Sequence, residues 1–164
     1  MSSQNREKAM SILKMARISD SPVDVDKVAS VLGFRIIQYP FPDKLKGKVT
    51  VVNGVKIIGV NKNHPLSLQR YTIAHELGHY LNGHEHYEKN SSEGENPYYD
   101  HYFQQEKEAD LFAAELLMPK PFLEADLQKL GLDIAKLTEK YQVSEQALWI
   151  RLTYSGLAQK YQGK

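Results

Sequence analysis

The 164-residue chain has no cysteine, so disulfide frameworks, thiol nucleophiles, redox pairs and every zinc site that needs thiolate are excluded together. Any metal it binds must be held by histidine and carboxylates. Neither sign of charge is in excess: 21 Lys and Arg against 20 Asp and Glu leave +1, which is no footprint for nucleic acid or an anionic membrane. Long apolar runs are missing too. Nothing approaches the roughly 18 residues of a transmembrane helix, and the first stretch, MSSQNREKAMSILKMARISD, lacks the apolar segment of a secretory signal. The expectation is a cytoplasmic protein with no membrane association. What is present, 41% hydrophobic and 25% charged residues, is ordinary globular usage, and a chain of this size buries roughly 70% of its unfolded surface without staples.

Periodicity predicts a first helix from Arg6 to Ile18 and a short second one from Val25 to Leu32, stopped by Gly33. Phe34 to Tyr39 is β-rich. Lys48–Val52 and Val55–Val60 flank Asn53-Gly54, the dipeptide that marks a two-residue hairpin between β-branched runs. These segments predict a small antiparallel sheet of about three strands. Pro65 suits the first turn of a helix continuing to about Asn82, and an aperiodic loop is expected from His84 to His101. A helix over Tyr102–Met118 carries Ala109, Phe112, Ala113, Leu116 and Leu117 on one stripe. Three more helices are expected over Pro121–Leu130, Asp133–Tyr141 and Ser144–Tyr154. The division this suggests is a core over residues 1–119 and a helical carboxy-terminal segment over residues 120–164 packed on it.

Residues 75–79 read His-Glu-Leu-Gly-His, an H-E-x-x-H pattern. Six His and twelve Glu give one accidental match about 1–2% of the time, so the pattern carries weight before its helical context is added. At ~100° per residue His75 and His79 fall on one face, with Leu68 and Thr72 below them, while Leu66, Ile73, Ala74, Leu77 and Leu81 form the opposite, core-seeking face. Two imidazoles one turn apart can each reach a tetrahedral Zn2+ at ~2.0–2.1 Å, leaving one position for a third protein ligand and one for water. Glu76 lies about 100° round the helix, too far to ligate the same ion but placed to act as general base. Gly78 near the histidine face predicts that another segment packs close there.

The third ligand must come from elsewhere. Asn82 and Glu85 stand where a metzincin would have Gly and His, and His84 and His86 are expected to be exposed loop histidines. The segment Gln105–Asp110 is the better source. Glu106 lies within about 50° of the apolar stripe of its helix, whereas Glu108 and Glu115 point more than 100° away, so Glu106 is favoured with Glu108 as the alternative. Asp110, one turn on, can accept the second N–H of a ligand histidine. For the oxyanion of a tetrahedral intermediate, Tyr98, Tyr99, His101 and Tyr102 are candidate donors.

The blocks Arg70-Tyr71-Thr72-Ile73-Ala74-His75-Glu76-Leu77-Gly78-His79-Tyr80-Leu81 and Glu106-Lys107-Glu108-Ala109-Asp110-Leu111-Phe112-Ala113-Ala114-Glu115-Leu116-Leu117-Met118-Pro119 resemble the ImmA/IrrE family of metallopeptidases. The resemblance extends more weakly to Val23-Asp24-Val25, Gly59-Val60-Asn61 and Leu137–Leu157. It implies an α+β, mostly helical, gluzincin-like zinc peptidase with Glu106 as third ligand and Asp110 beside it. It also implies cleavage of a partner helix-turn-helix repressor of the kind encoded in prophages and mobile elements.

A second reading is a DNA-binding or repressor-sequestering regulator. Residues 137–152 have helix-turn-helix spacing with Ser144 as cap of the second helix. That helix offers Gln146 and Arg151 amid Leu148, Trp149, Ile150 and Leu152, which suits packing better than reading base edges, so no direct DNA binding is expected. A packed position for Trp149 follows from this reading.

Overall fold

The computed structural model describes residues 3–84 and 98–161. Eight helices and three strands are found among them: α1 (Ser3–Met15), α2 (Val25–Val31), β1 (Phe34–Tyr39), β2 (Gly47–Val52), β3 (Val55–Asn61), α3 (Leu66–Leu81), α4 (Tyr98–Leu117), α5 (Lys120–Leu130), α6 (Ile134–Tyr141), α7 (Glu145–Tyr154) and α8 (Leu157–Tyr161). The fold is α+β and mostly helical, as expected. Three elements differ from the reading by periodicity. α1 starts and stops three residues before the expected Arg6–Ile18, with Arg17 at a positive φ of 54° just past its end. α4 begins at Tyr98, a turn earlier than the apolar stripe announced, and α8 is a short helix that follows Gly156 and buries Leu157 and Ala158.

Local chemistry accounts for the boundaries. Asp24, Asp133 and Ser144 each accept a hydrogen bond from the backbone N–H three residues on, capping α2, α6 and α7. Asn53 and Gly54 both have positive φ, 50° and 77°, the requirement of the tight turn between β2 and β3. Lys8 of α1 reaches the last turn of α3, donating to the Leu81 carbonyl and to Asn82 Oδ1, so a cation satisfies orphan acceptors at a helix C-terminus.

The sheet is mixed, with strand order β1-β3-β2. β2 and β3 form the expected antiparallel hairpin, but β1 runs parallel to β3, Ile36 facing Ile58. The uniformly antiparallel sheet is corrected here, and the reason lies in the 40–46 connection. It carries the chain past the position β3 will occupy and is pinned by the buried Asn61 amide, which donates to the carbonyls of Phe41, Pro42 and Leu45. β3 thereby becomes the central strand, consistent with its nearly continuous apolar run and with Ile58 and Val60 being fully covered. β2 lies at one edge of this sheet. Gly47 opens it because a Cβ there would come within 2.6 Å of the Thr72 methyl and 2.7 Å of the Gly59 carbonyl, so glycine lets β2 lie against α3 one turn before His75.

One hydrophobic cluster runs through the molecule, from Ala9, Ile12 and Leu13 of α1, through Ile73, Ala74 and Leu77 of α3 and Phe112, Ala113 and Leu116 of α4, to Leu148 and Leu152 of α7. Leu66, assigned to the core face of α3 by its angle, is 60% exposed, because the first turn of the helix protrudes beyond its neighbours. The seam between α3 and α4 is the closest approach of the two helices. A Cβ on Gly78 would lie 3.0 Å from the Ala109 carbonyl and 3.1 Å from the Phe112 ring, so the glycine does mark a tight crossing.

Candidate metal centre

Helices α3 and α4 cross at Gly78 and Ala109, and the side chains flanking that crossing on its open side are His75 and His79 from one helix and Glu106 from the other. The two Nε2 atoms lie 3.0 Å apart. Glu106 places one carboxylate oxygen 3.3 Å from His75 Nε2 and the other 3.1 Å from His79 Nε2. Ligands held ~2.0–2.1 Å from a tetrahedral ion are separated by about 3.3 Å along the edges of the tetrahedron, so the three donors have the spacing of such a ligand set. Two nitrogens and one carboxylate are also suitable donor chemistry for zinc. Among the described residues this is the group of three His, Asp or Glu side chains that could hold a metal ion.

Each histidine is oriented from behind. His75 Nδ1 donates to Asp110 Oδ1 at 2.8 Å, and the same oxygen accepts from the Tyr71 hydroxyl at 2.8 Å. Because a carboxylate can only accept, Nδ1 carries a proton, and Nε2, which faces the centre, is the nitrogen that would ligate a metal once its own proton is given up. On the other side, His79 Nδ1 lies 3.0 Å from His84 Nδ1, and His84 Nε2 lies 3.1 Å from Glu108 Oε2. Glu108 in turn accepts from Gln104 at 3.0 Å. Burial holds the His84 imidazole below its ordinary pKa, against the pull of Glu108. A neutral His84 that donates to Glu108 has an accepting Nδ1, so His79 donates through its own Nδ1 and again leaves Nε2 facing inward.

His84 therefore departs from the exposed loop position expected of it: its side chain is covered, because the chain turns at Gly83 back across the α3 terminus. Glu108 is taken up by His84 and Gln104, away from the three-donor cluster, whereas Glu106 is in it. Sequence reasoning missed His84 because a histidine past a helix stop gives no local sign of folding back. His86, the third loop histidine considered, lies outside the described residues, as do the side chains of Tyr98, Tyr99 and His101.

The electrostatics are those of a site held ready for a cation. Hydrogen bonds from His75 and His79 hold the Glu106 carboxyl far below the usual carboxylate range, although burial opposes this. Burial works against a charged His75, but Asp110 and Glu106 outweigh it and hold the imidazolium up to about 9. Burial is the largest single influence on Asp110 and would raise it, but the hydrogen bonds from His75 and Tyr71 and the charge of His75 together outweigh burial and hold the carboxyl below its ordinary value. Tyr102 is pushed up by burial and by the Glu106 and Glu76 carboxylates, with a hydrogen bond to Glu106, so its hydroxyl stays a donor. Glu76, half-buried and next to His75, stands outside the ligand set.

The same helix carries a second acidic group that sequence reasoning placed outward. Glu115 is completely covered and pairs with Arg151 of α7 at 2.7 Å, both side chains being 1% exposed or less. Arg151, the candidate DNA-facing cation, also donates to the Met118 carbonyl at 2.9 Å. Trp149 instead is half-buried, its indole N–H 3.4 Å from Glu145. Trp149 packs against the edge of the hydrophobic cluster, as expected, while Arg151 is the more deeply covered of the two, because α7 meets α4 through the face of Leu148, Arg151 and Leu152.

Among known proteins, the model of the family described as IrrE N-terminal-like domain (Peptidase_M78) matches residues 29–153. No curated protein matches the chain. A solved structure, a Mycobacterium tuberculosis transcriptional regulator, is similar in fold with a TM-score of 0.69 at 14% identity, over 93% of this chain and 47% of that one. The chain thus spans about half the length of that regulator. Because the family match covers most of the chain and includes both helices that carry the site, the chain belongs to the Peptidase_M78 family of IrrE N-terminal-like domains.

Proposed function

We propose that this metallopeptidase-type domain is a zinc-dependent endopeptidase that cleaves a partner helix-turn-helix transcriptional repressor in the cytoplasm. The observation that carries the enzymatic reading is the convergence of His75, His79 and Glu106 at tetrahedral spacing, with Glu76 beside them and free of the cluster. Zinc held there supplies a Lewis acid that polarises a peptide carbonyl and acidifies a water. Glu76 takes the proton of the attacking water and passes it to the leaving nitrogen, as a carboxylate outside the ligand set can. Asp110 and the His84–Glu108 pair fix the histidine rings. Tyr102, kept protonated beside Glu106 and Glu76, is a donor for the developing oxyanion. The edge of β2, held against α3 by Gly47, offers backbone groups to which an extended substrate segment can add as a strand. The repressor as substrate rests on family resemblance. No described helix is long and apolar enough to cross a membrane.

The regulator reading is favoured by the name of the structural neighbour and by the capped α6–α7 pair. Against it, α7 buries Arg151, Leu148 and Leu152 and presents Glu145, Gln146, Ile150 and Tyr154, a face without the cations that phosphate contact needs. The deciding experiment compares the parent chain with Glu76→Gln, each loaded with zinc and mixed with helix-turn-helix repressors from the same genome. The variant should keep about one zinc per chain and lose cleavage by about 10²-fold or more. Cleavage at the parent rate by Glu76→Gln overturns the mechanism.

A further inference from the structure

A cleft of about 500 Å3 opens between α3, α4 and α7. We propose that this cleft is the specificity pocket of the peptidase and receives a large apolar side chain, of the leucine, methionine or phenylalanine class, next to the scissile bond. The inference rests on the peptidase reading and deepens it.

Continuity with the metal centre is the first argument. Tyr71 and Asp110 line the cleft; Tyr71 donates to Asp110 at 2.8 Å, and the same carboxylate oxygen accepts from His75 at 2.8 Å. An occupant of the cleft is therefore one residue removed from the metal ligands. Its walls are the second argument. Leu68, Leu111, Ala114, Val143, Ala147 and Ile150 supply apolar surface, and the charges that border it are already engaged. Asp110 holds Tyr71 and His75, and Arg151 at the floor holds Glu115 and the Met118 carbonyl. The Ser144 hydroxyl caps α7 by accepting from Ala147 N–H. Only Lys46, exposed at the rim, adds a charge that could meet an acidic substrate group. Ser67, Gln146 and Lys46 are the other polar groups on its lining, but most of the wall is apolar, so a large apolar side chain gains more there than a polar one.

The third argument is what stands uncovered. Ile150 and Tyr154, one turn apart on α7, are 47% and 58% exposed and both border the cleft, so an apolar occupant removes their surface from water along with its own. The volume lies within the roughly 300–1,000 Å3 of preformed ligand sites and accommodates a large side chain with its flanking backbone. The wall is also fixed in place, because the Glu115–Arg151 pair ties α7 to α4. The helix pair with helix-turn-helix spacing thus acquires a task in selecting substrate instead of reading DNA.

The test has a cleavage arm and a binding arm. The zinc-loaded chain is given a peptide mixture from a digested proteome, and the new termini are read by mass spectrometry. One position within two residues of the cut should be enriched in leucine, methionine and phenylalanine, and peptides with alanine there should be cut about tenfold or more slowly. Ala147→Phe, which fills the cleft, and Ile150→Glu, at an exposed site that tolerates the change, should both erase the enrichment while zinc content stays at one per chain. In the binding arm, N-acetyl-leucinamide is titrated into the Glu76→Gln chain and followed by NMR. It should shift Ala147 and Ile150 signals saturably, N-acetyl-aspartamide should not, and Ala147→Phe should abolish the response. Absence of any cleavage by the parent chain, of the peptide mixture and of a helix-turn-helix repressor alike, with leucinamide still binding, overturns the peptidase reading and leaves the pocket. Cleavage without apolar enrichment, enrichment that survives both variants, or no leucinamide response overturns the pocket.

Discussion

Glu106 and Glu115 lie about two and a half turns apart on the same helix, and each meets basic groups from another helix, yet their surroundings give them different uses. Glu115 is sealed at 0% exposure against the permanently charged guanidinium of Arg151. Glu106 keeps 35% of its side-chain surface and faces two imidazoles whose charge can be given up. The first arrangement has no freedom to exchange its partner and serves cohesion. The second can release protons and accept a cation in their place, which is the requirement of a metal site. Sequence alone offers these as two of three glutamates on one helix; the nature of the partner and the access of water separate them.

The comparison is broken most forcefully at Glu115. Removing one member of a buried ion pair leaves the other charge without compensation, so Arg151→Met should destabilise the fold by about 3–5 kcal/mol in urea unfolding, and Glu115→Leu likewise. The double variant should recover most of that loss, since two apolar side chains of similar volume can replace a buried pair. Zinc affinity of the folded fraction should change little. A double variant no more stable than the singles would show that the pair's other contacts, with Arg6, Lys120 and the Met118 carbonyl, dominate.

At the Glu106 end the expected effects are smaller and appear in metal affinity. Asp110→Asn keeps an oxygen for Tyr71 and His75 but removes the charge that makes His75 a stronger base, and should weaken zinc binding about 10–100-fold in a chelator competition. The pH dependence follows from the same group. In zinc-stripped protein the raised His75 pKa contributes stability that is complete below the unfolded value of about 6.5 and is lost as pH rises through about 9. Zinc competes with that proton, so affinity should climb with pH toward 9 in the parent chain and level off at lower pH in Asp110→Asn. Identical profiles in the two proteins would remove Asp110 from the role of orienting His75.

The elements legible in the sequence are those whose evidence is confined to one helix or one turn. His75 and His79 share a helix face by spacing alone with Glu76 beside it, Asn53-Gly54 specifies its hairpin, and Glu106 stands out because its angle to the apolar stripe of α4 is local information. What was hidden depends on distant partners. The parallel pairing of β1 with β3 is set by a connection crossing the sheet, and His84 is buried by a chain reversal after Gly83. Glu115 looked outward because a single stripe was fitted to α4, while the helix is covered by α3 and α1 on one side and α7 on another. α8 is five residues long, too short for any periodic pattern to emerge.

The gentlest way to sharpen the comparison is to move the two site helices apart without touching a ligand. Gly78 costs its helix roughly 1 kcal/mol relative to alanine, so by propensity alone Gly78→Ala should stabilise α3. The added methyl, however, would stand 3.0 Å from the Ala109 carbonyl and 3.1 Å from both Ala109 Cα and the Phe112 ring. Two of those three atoms belong to backbone and cannot rotate away, so α4 must retreat by a few tenths of an ångström. Ala109 is one turn from Glu106 and adjacent to Asp110, so that retreat lengthens the reach of Glu106 to both histidines and loosens the bond from His75 to Asp110. The ion pair farther along α4 is held by α7 and should not notice. The expected result is a thermal stability within about 1 kcal/mol of the parent when zinc is absent, since propensity and crowding oppose each other, with a severalfold loss of zinc affinity. Unchanged affinity together with higher stability would mean that the helix crossing has slack, and that the spacing of the three donors is set by their own hydrogen bonds instead of by the backbone.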